Sequence, residues 1–175
     1  MTSGTLLLAF LTLQRLAELG IASRNTQALL RRGGYECGAG HYPVMVALHA
    51  SWLITLWVFG WSSAASPPFV ALFVVLQAAR IWVLVTLGRR WTTRIIVSPD
   101  LPAVTSGPFR FVRHPNYAVV ALELPCVSLA LGLVWHAALF AALNAAMLWW
   151  RIRAEDRAYV GHNESVPARS EAEPG

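Results

Sequence analysis

The chain has 175 residues, of which 56% are hydrophobic and only 13% charged, and its mean hydropathy is +0.50. Soluble domains carry about 25% charged residues, so the composition excludes a disordered chain and a small disulfide scaffold and indicates an integral membrane protein. The formal charge of +5 is the excess of 14 basic residues, all of them arginine, over 9 acidic residues. In a chain this apolar, such charge indicates the cytoplasmic side of a bilayer rather than a nucleic-acid partner.

Apolar runs predict transmembrane helices in chain order, because a hydrocarbon core about 30 Å thick takes roughly 20 helical residues. The first run lacks the basic start of a signal peptide, since its first arginine is Arg15, so we expect it to remain as a span. The last run, 117–150, is too long for one crossing, and Gly132 near its middle predicts two short helices joined by a tight turn. We therefore expect an all-α membrane protein with five transmembrane helices and a C-terminal helical hairpin, spanning about 4–22, 42–61, 67–87, 117–133 and 135–151.

The arginines test the number of crossings, since cytoplasmic loops of membrane proteins are enriched in basic residues. The N-terminus, residues 62–66 and the 132–136 turn carry none, and Arg15 and Arg80 lie within spans. Four spans would divide the remaining arginines between the two sides, whereas five spans place them all on one side. We expect the N-terminus outside and these residues in the cytoplasm: Arg24, Arg31, Arg32, Arg89, Arg90, Arg94, Arg110, Arg113, Arg151, Arg153, Arg157 and Arg169.

The apolar runs and the polar C-terminal stretch also predict the division into domains. Residues 1–160 are expected to form a single transmembrane domain. Residues 161–175 are rich in Ser, Glu, Pro and Ala and lack aromatic side chains, which predicts a disordered polar tail. The Arg- and Ala-rich composition is typical of a bacterial protein, which indicates the plasma membrane as the location.

Several polar residues fall inside predicted spans, where charges are costly and normally pair toward the interior of a bundle. Two hypotheses stay open for Glu123: it is a general base that faces a substrate pocket, or it forms a structural pair with Arg80. Arg15 and Glu18, three residues apart, are expected to pair locally. Gln77 and Asn144 are expected to form interhelical hydrogen bonds. No metal site is predicted, and packing or interfacial roles are expected for the histidines without metal-ligand spacing: His41, His49 and His136.

Two motifs carry candidate chemistry. In the stretch Gly107–Tyr117, Pro115 favours an extended His114 and the start of a helix, whose free N–H groups would attract an anionic group. Arg151 and Glu155 stand four residues apart and share a helix face. Each motif also has a structural alternative. The first motif is then a basic anchor before a transmembrane helix, and the second is a solvated ion pair at the end of the last span.

Together these motifs resemble the isoprenylcysteine carboxyl methyltransferase family. The family pattern is Gly-x-Tyr/Phe-x-x-x-Arg-His-Pro-x-Tyr, a helical hairpin, and then Arg-x-x-x-Glu. Here it reads Gly107-Pro108-Phe109-Arg110-Phe111-Val112-Arg113-His114-Pro115-Asn116-Tyr117 and later Arg151-Ile152-Arg153-Ala154-Glu155. The resemblance covers roughly 88–159 and implies a membrane-embedded methyltransferase that uses S-adenosyl-L-methionine in a cytoplasmic pocket, without a soluble Rossmann domain. In keeping with this, no Gly-x-Gly-x-x-Gly follows a strand pattern.

The resemblance also implies site residues. The substrate-side arginine of the family falls on Arg151, which joins Glu123 as a candidate catalytic residue. Phe109 stands where the family often has Tyr, which removes a hydroxyl, and Arg94 replaces an amide found in a relative. The cofactor contacts of the family fall on Arg94, Leu101, Pro102, Ala103, Val104, Phe109, His114, Pro115, Asn116, Tyr117 and Glu155.

The chemistry of these residues suits such a cofactor. His114 and the helix N-terminus can hold its carboxylate, while Glu155 can take the ammonium or the ribose hydroxyls. Aromatic faces attract cations, so Trp91, Phe109 and Tyr117 can surround the adenine or the sulfonium.

Bacterial relatives in the family imply a lipophilic acceptor that enters from the bilayer. The first hypothesis is O-methylation of a phenolic or enolic hydroxyl on a long-chain polyketide lipid, similar to an alkylresorcinol or alkylpyrone. The second is carboxyl methylation of an isoprenylated cysteine or a similar prenyl-thiol compound. The third is methylation of a sulfur or nitrogen atom of the acceptor. A non-enzymatic membrane scaffold is the alternative from another class.

Overall fold

Five helices form where the apolar runs predicted them, so the all-α expectation is confirmed. The computed structural model describes residues 1–98 and 104–165, with side chains as far as Arg157. Three expected cofactor contacts, Leu101, Pro102 and Ala103, lie outside the described residues. The helices are α1 (Ser3–Arg31), α2 (Tyr42–Gly60), α3 (Pro67–Leu87), α4 (Pro115–Ala130) and α5 (Val134–Ser165).

Proline and glycine set the helix boundaries. Proline occupies the first turn of α2, α3 and α4, where its missing N–H has no intrahelical partner to lose. Gly132 adopts a φ of 76° between α4 and α5, a backbone conformation that side chains with a Cβ rarely adopt. The tight turn predicted in the last apolar run is therefore present, and α4 and α5 form the helical hairpin.

Two helices run further than the apolar pattern predicted. α1 continues to Arg31 rather than ending near residue 22, and α5 continues to Ser165 rather than ending near 151. The apolar pattern marks where hydrocarbon ends, whereas residues such as Ala, Leu, Gln, Glu and Arg extend a helix into water. Residues 161–165 of the predicted disordered tail are consequently helical, and 166–175 lie outside the described residues.

Three helices of the described chain are long and apolar enough to cross a membrane: α1, α2 with the 3-10 turn before it, and α3 with the 3-10 turn after it. α4 is apolar but has only 16 residues, about 24 Å at 1.5 Å per residue. The fold thus contains three helices of membrane-spanning length among the described residues, followed by a helical hairpin whose first helix is shorter.

The connections lie at two ends of the bundle. At one end, the Gly4 N–H donates to the Ser63 carbonyl at 3.1 Å and the Ser66 N–H donates to the Ala130 carbonyl at 2.8 Å. At the other end, the Asn25 amide donates to the Trp91 carbonyl at 2.8 Å. We call the second the arginine-rich end, because the loops between α1 and α2 and between α3 and α4 meet the C-terminal part of α5 there.

A short β-ribbon ties two loops together at the arginine-rich end, where the sequence predicted loops alone. β1 (Tyr35–Cys37) pairs antiparallel with β2 (Ile95–Val97). The β-branched residues of β2 favour an extended strand, and Ile95 and Val97 are buried on one face while Ile96 is only partly buried. The ribbon holds the residues after α3 against the start of α2.

The apolar core fills the half of the bundle away from the arginine-rich end. Leu8, Leu56, Leu124 and Val127 are fully buried there, and the cluster extends to Leu131 in the turn after α4. The interior nearer the arginine-rich end contains polar side chains and a cavity, which are described below.

Close packing at the end opposite the arginines predicts a sharp glycine requirement at Gly4. An added Cβ there would lie 2.5 Å from the Ser63 carbonyl oxygen and 2.9 Å from that of Gly60, both backbone atoms, whereas a Cβ on Gly20 of the same helix would meet nothing within 4 Å. Gly4→Ala should destabilise the protein by about 1–3 kcal/mol through overpacking. The matched control Gly20→Ala should be neutral or slightly stabilising. Thermal unfolding in detergent measures both, and equal melting temperatures for the two variants would contradict this packing.

Candidate functional site

Four side chains from two distant segments meet at the arginine-rich end, and we call them the polar cluster: His114, Tyr117, Arg151 and Glu155. The Tyr117 hydroxyl donates to Glu155 Oε2 at 2.7 Å and accepts from Arg151 Nε at 2.8 Å. His114 Nδ1 lies 3.8 Å from the same carboxylate oxygen. The two motifs identified in the sequence therefore lie together in space.

Local structure explains how the cluster assembles. α4 starts at Pro115, so His114 precedes the helix and Tyr117 lies in its first turn. The two rings stack with centroids 5.2 Å apart and an interplanar angle of 13°. On α5, Arg151 and Glu155 lie one turn apart, and the Arg151 guanidinium lies 5.4 Å from the centroid of the Tyr117 ring. Tyr117 thus contacts both His114 and Arg151, and its hydroxyl orients a cation and a carboxylate.

The first turn of α4 offers fewer free amides than the sequence implied. The N–H groups of Tyr117 and Ala118 both donate to the His114 carbonyl at 3.1 Å. An anionic ligand group would therefore depend on side chains more than on the helix terminus.

Several buried polar atoms beside the cluster have no hydrogen-bond partner among the described residues. They are His114 Nε2, Asn116 Oδ1 and Trp91 Nε1. Buried polar groups are normally paired, so these atoms are available to a ligand with donors and acceptors of its own.

A cavity of about 270 Å³ extends into the bundle from Tyr117 and Arg151 of the polar cluster, whereas His114 and Glu155 are not among the residues that line it. Asn116, Tyr117, Arg151 and Trp91 line it near the arginine-rich end. The walls further in are largely apolar, with side chains from four helices: Leu16, Leu19, Val46, Leu53, Val120 and Leu148. An apolar cavity with a few polar groups is the usual form of a small-molecule site.

Arg94 borders this cavity through another aromatic residue. Its guanidinium donates to Glu36 Oε2 at 2.7 Å and lies 4.3 Å from the centroid of the Tyr42 ring, and Tyr42 lines the cavity. The hydrogen bond with Glu36 raises the pKa of Arg94, so this cation stays charged.

The remaining expected contacts lie less close to the cavity. Pro115 is buried at the start of α4. Phe109, in a 3-10 turn beside α3, and Val104 are half-buried, and neither is among the residues that line the cavity.

A buried charge network lies at the inner part of the cavity, formed by Arg15, Glu18, Arg80 and Glu123. Arg15 donates to Glu18 at 2.8 Å and to Glu123 at 2.7 Å, and Arg80 donates to Glu123 and, at 3.4 Å, to Glu18. The Gln77 amide donates to Glu123 Oε1 at 3.0 Å. Two cations and two anions therefore neutralise one another, as expected for charges inside a membrane bundle.

These contacts bear on the two hypotheses for Glu123. Its side chain is fully buried, one carboxylate oxygen accepts from Arg15 and Arg80, and the other accepts from Gln77. The pair with Arg80 is present, and a carboxylate held by three donors is poorly suited to take a proton from a substrate. Glu123 is also not among the residues that line the cavity.

Several residues that line the cavity lie outside the two sequence motifs. Arg151 Nη1 lies 2.9 Å from Met45 Sδ, and Met45, His49 and Trp52 all line the cavity. Their spacing of four and then three residues is typical of one helix face. The spacing does not stand out in the sequence, because the residues around them are mostly apolar. Gln77 makes the expected interhelical bonds, whereas Asn144 makes none among the described residues.

The chain is similar to known proteins over most of its length. The model of the isoprenylcysteine carboxyl methyltransferase (ICMT) family matches residues 69–160. The uncharacterized protein YpbQ of Bacillus subtilis (strain 168) is 36% identical over 158 residues, which cover 87% of this chain and 94% of that protein. No solved structure matches the chain.

The charge network predicts a strong stability effect at Glu123. Glu123→Gln leaves Arg15 and Arg80 with only Glu18 as an anion, and removing one partner of a buried pair costs about 3–5 kcal/mol. Adding Arg80→Gln restores neutrality, so the double variant should unfold at a higher temperature than Glu123→Gln alone. Thermal unfolding in detergent tests this, and a double variant as unstable as the sum of the two single variants would contradict the network.

Proposed function

The chain belongs to the isoprenylcysteine carboxyl methyltransferase family, a family of membrane methyltransferases, and on this premise we propose that it transfers a methyl group from S-adenosyl-L-methionine to a lipophilic acceptor. The observation that carries the proposal is the polar cluster at the mouth of an apolar cavity. Methyl transfer from a polar cofactor to an apolar acceptor needs a polar site and an apolar site in contact with each other.

We further propose five crossings, with the N-terminus outside and the polar cluster on the cytoplasmic side. α4 and the apolar part of α5 would supply the fourth and fifth crossings. The grouping of the arginine-bearing loops at one end of the bundle supports this orientation, because positive charge marks the cytoplasmic side. Residues 1–160 would then act as a single transmembrane methyltransferase domain.

The residues present fit S-adenosyl-L-methionine, which carries a carboxylate, an ammonium, a sulfonium, ribose hydroxyls and an adenine. His114 Nε2, unpartnered among the described residues, suits the carboxylate. Glu155 suits the ammonium or the ribose hydroxyls, while the faces of Trp91 and Tyr117 suit the adenine or the sulfonium. Leu101–Val104 and Phe109 complete the proposed contacts by their position in the family motif.

The cofactor supplies an electrophilic methyl group when bound, and the chain's own residues supply position and environment. Tyr117 holds Glu155 and Arg151 in one arrangement, so both charges are oriented before a ligand arrives. Arg151 is 6% exposed and can steady an acceptor oxygen that carries negative charge. The apolar walls exclude water, and positioning and desolvation are large parts of the barrier reduction in displacement reactions.

The acceptor is proposed to enter sideways from the bilayer and to present an oxygen. A phenolic or enolic hydroxyl of a long-chain polyketide-type lipid is the first candidate. The family name favours the second, the carboxylate of a prenylated cysteine or a similar prenyl-thiol compound. The two differ chemically, because a hydroxyl must lose a proton during transfer and a carboxylate need not.

Binding measurements separate an enzyme from a membrane scaffold. Calorimetry in detergent with S-adenosylhomocysteine should show saturable binding to the wild-type protein. Glu155→Gln should raise the Kd by about 10-fold or more, since losing a charged hydrogen bond costs about 1.5–3 kcal/mol. Asp156→Asn is the matched control: it is the adjacent carboxylate, pairs with Arg113 at 2.8 Å on the surface, and should leave the Kd unchanged. A flat titration with folded wild-type protein would favour the scaffold.

A labelled-methyl assay separates the two acceptor classes. Purified protein in nanodiscs receives methyl-labelled cofactor with either a pentadecylresorcinol or an S-farnesylcysteine derivative. We expect label in the resorcinol ether, at a rate at least 10-fold above the rate with the farnesylcysteine. Label only in an alkali-labile methyl ester would establish the carboxyl acceptor instead.

A further inference from the structure

One amide inside the bundle has neither of its polar atoms paired with another described residue. Asn144 of α5 is 1% exposed and lines the cavity. Neither its Nδ2 nor its Oδ1 has a hydrogen-bond partner among the described residues. An unpaired amide in an apolar environment is costly, so its placement on a cavity wall indicates a ligand that both donates and accepts hydrogen bonds.

A histidine with a defined tautomer lines the same cavity. His49 Nδ1 lies 2.9 Å from the Met45 carbonyl oxygen. A carbonyl oxygen can only accept, so Nδ1 carries a proton, and in the neutral imidazole the lone pair is then on Nε2. His49 therefore presents a base within an otherwise largely apolar site.

Both residues lie inward from the polar cluster. Met45, which contacts Arg151, precedes His49 by four residues on α2, about 6 Å along the helix. Asn144 precedes Arg151 by seven residues on α5, about 10 Å along the helix. From the mouth inward, the cavity thus offers a cation, then an imidazole and then an amide.

The charges that face His49 come from four other helices, and most of them compensate one another. Arg15, Arg80 and Glu123 are its electrostatic neighbours within the buried charge network, and Glu18 pairs with both arginines. Arg151 lies toward the mouth, bonded to the Tyr117 hydroxyl. No carboxylate hydrogen-bonds to His49 among the described contacts, so an acceptor would meet a neutral imidazole.

We propose that His49 and Asn144 form the binding site for the polar head of a hydroxyl-bearing lipid acceptor, with His49 Nε2 as the general base; this rests on the proposed methyl transfer. The acceptor hydroxyl gives its proton to His49 Nε2. Its oxygen forms the bond to the methyl carbon and displaces the sulfur, which keeps the electron pair of the broken carbon–sulfur bond. The imidazolium keeps its Nδ1–H bond to Met45 and later returns the proton to bulk water.

The amide explains why a hydroxyl head fits better than a carboxylate. A dihydroxyaryl or hydroxypyrone head has donors and acceptors, so it can pair with both Asn144 Oδ1 and Nδ2. An ionised carboxylate only accepts, which would leave Oδ1 buried and unpaired. It would also have no use for a base.

Asn144→Leu gives the first test. A ligand-binding role and a structural role of Asn144 predict changes of opposite sign in the melting temperature. If the amide serves the acceptor, replacing it with an apolar side chain of similar size removes an unpaired polar group and raises the melting temperature. The KM for pentadecylresorcinol should rise at least about 10-fold, while the Kd for S-adenosylhomocysteine stays unchanged. A lower melting temperature with an unchanged KM would overturn the proposal and make Asn144 a structural residue.

His49→Gln gives the second test. Loss of a general base should lower kcat for the resorcinol acceptor by about 100-fold or more and leave S-adenosylhomocysteine binding intact. His136→Gln is the control, because His136 bonds to Thr55 and Ser128 and does not line the cavity.

Nitrogen-15 NMR of labelled histidine supplies a readout without turnover. The His49 Nε2 resonance should shift when pentadecylresorcinol is added with S-adenosylhomocysteine. An unmoved resonance, or kcat within about 3-fold of wild type, would overturn the base role.

The two proposals fail in different ways. If the wild-type protein neither binds S-adenosylhomocysteine nor labels any lipid, the proposed function is wrong. If it does both and the His49 and Asn144 variants behave like the wild type, only the acceptor site is wrong.

Discussion

The arrangement of the bundle depends on four ionised side chains that cannot be left alone in a hydrocarbon environment. α1 contributes Arg15 and Glu18, α3 contributes Arg80 and α4 contributes Glu123, and each carboxylate accepts from both arginines. Removing any one would leave a net charge where water cannot solvate it. The network therefore fixes the relative positions of three helices more strictly than apolar contacts, which many arrangements can satisfy.

That fixed arrangement supports the site nearer the arginine-rich end. With α1, α3 and α4 held, the start of α4 presents Tyr117 to the end of α5, where Arg151 and Glu155 bond to its hydroxyl. The apolar core fills the other half of the bundle, so the cavity remains between the network and the polar cluster. The contacts that stabilise the bundle therefore also position the helices that carry the site.

The helices and the polar cluster were predictable from the sequence, whereas the cavity residues that α2 contributes were not. Apolar runs, Pro115 and Gly132 each act locally, so they predict helix starts and the hairpin turn. The spacing of Arg151 and Glu155 predicts a shared face, and the family motif relates that face to His114. The partners of Glu123 depend on which helices pack together, and the β-ribbon joins segments far apart in sequence. No local sequence pattern therefore predicts the ion pairs of Glu123 or the pairing of the two strands.

Two amides inside the bundle show how the structure distinguishes support from function. Gln77 accepts from Gln14 at 2.7 Å and donates to Glu123 at 3.0 Å, so the fold satisfies it. Asn144 has no partner among the described residues and lines the cavity. Hydrocarbon supplies no hydrogen bonds, so we expect this amide to pair with a group that enters the cavity. The cost of burying the unpaired amide is therefore best explained by a ligand, and the chemistry of an amide requires that ligand to donate as well as accept.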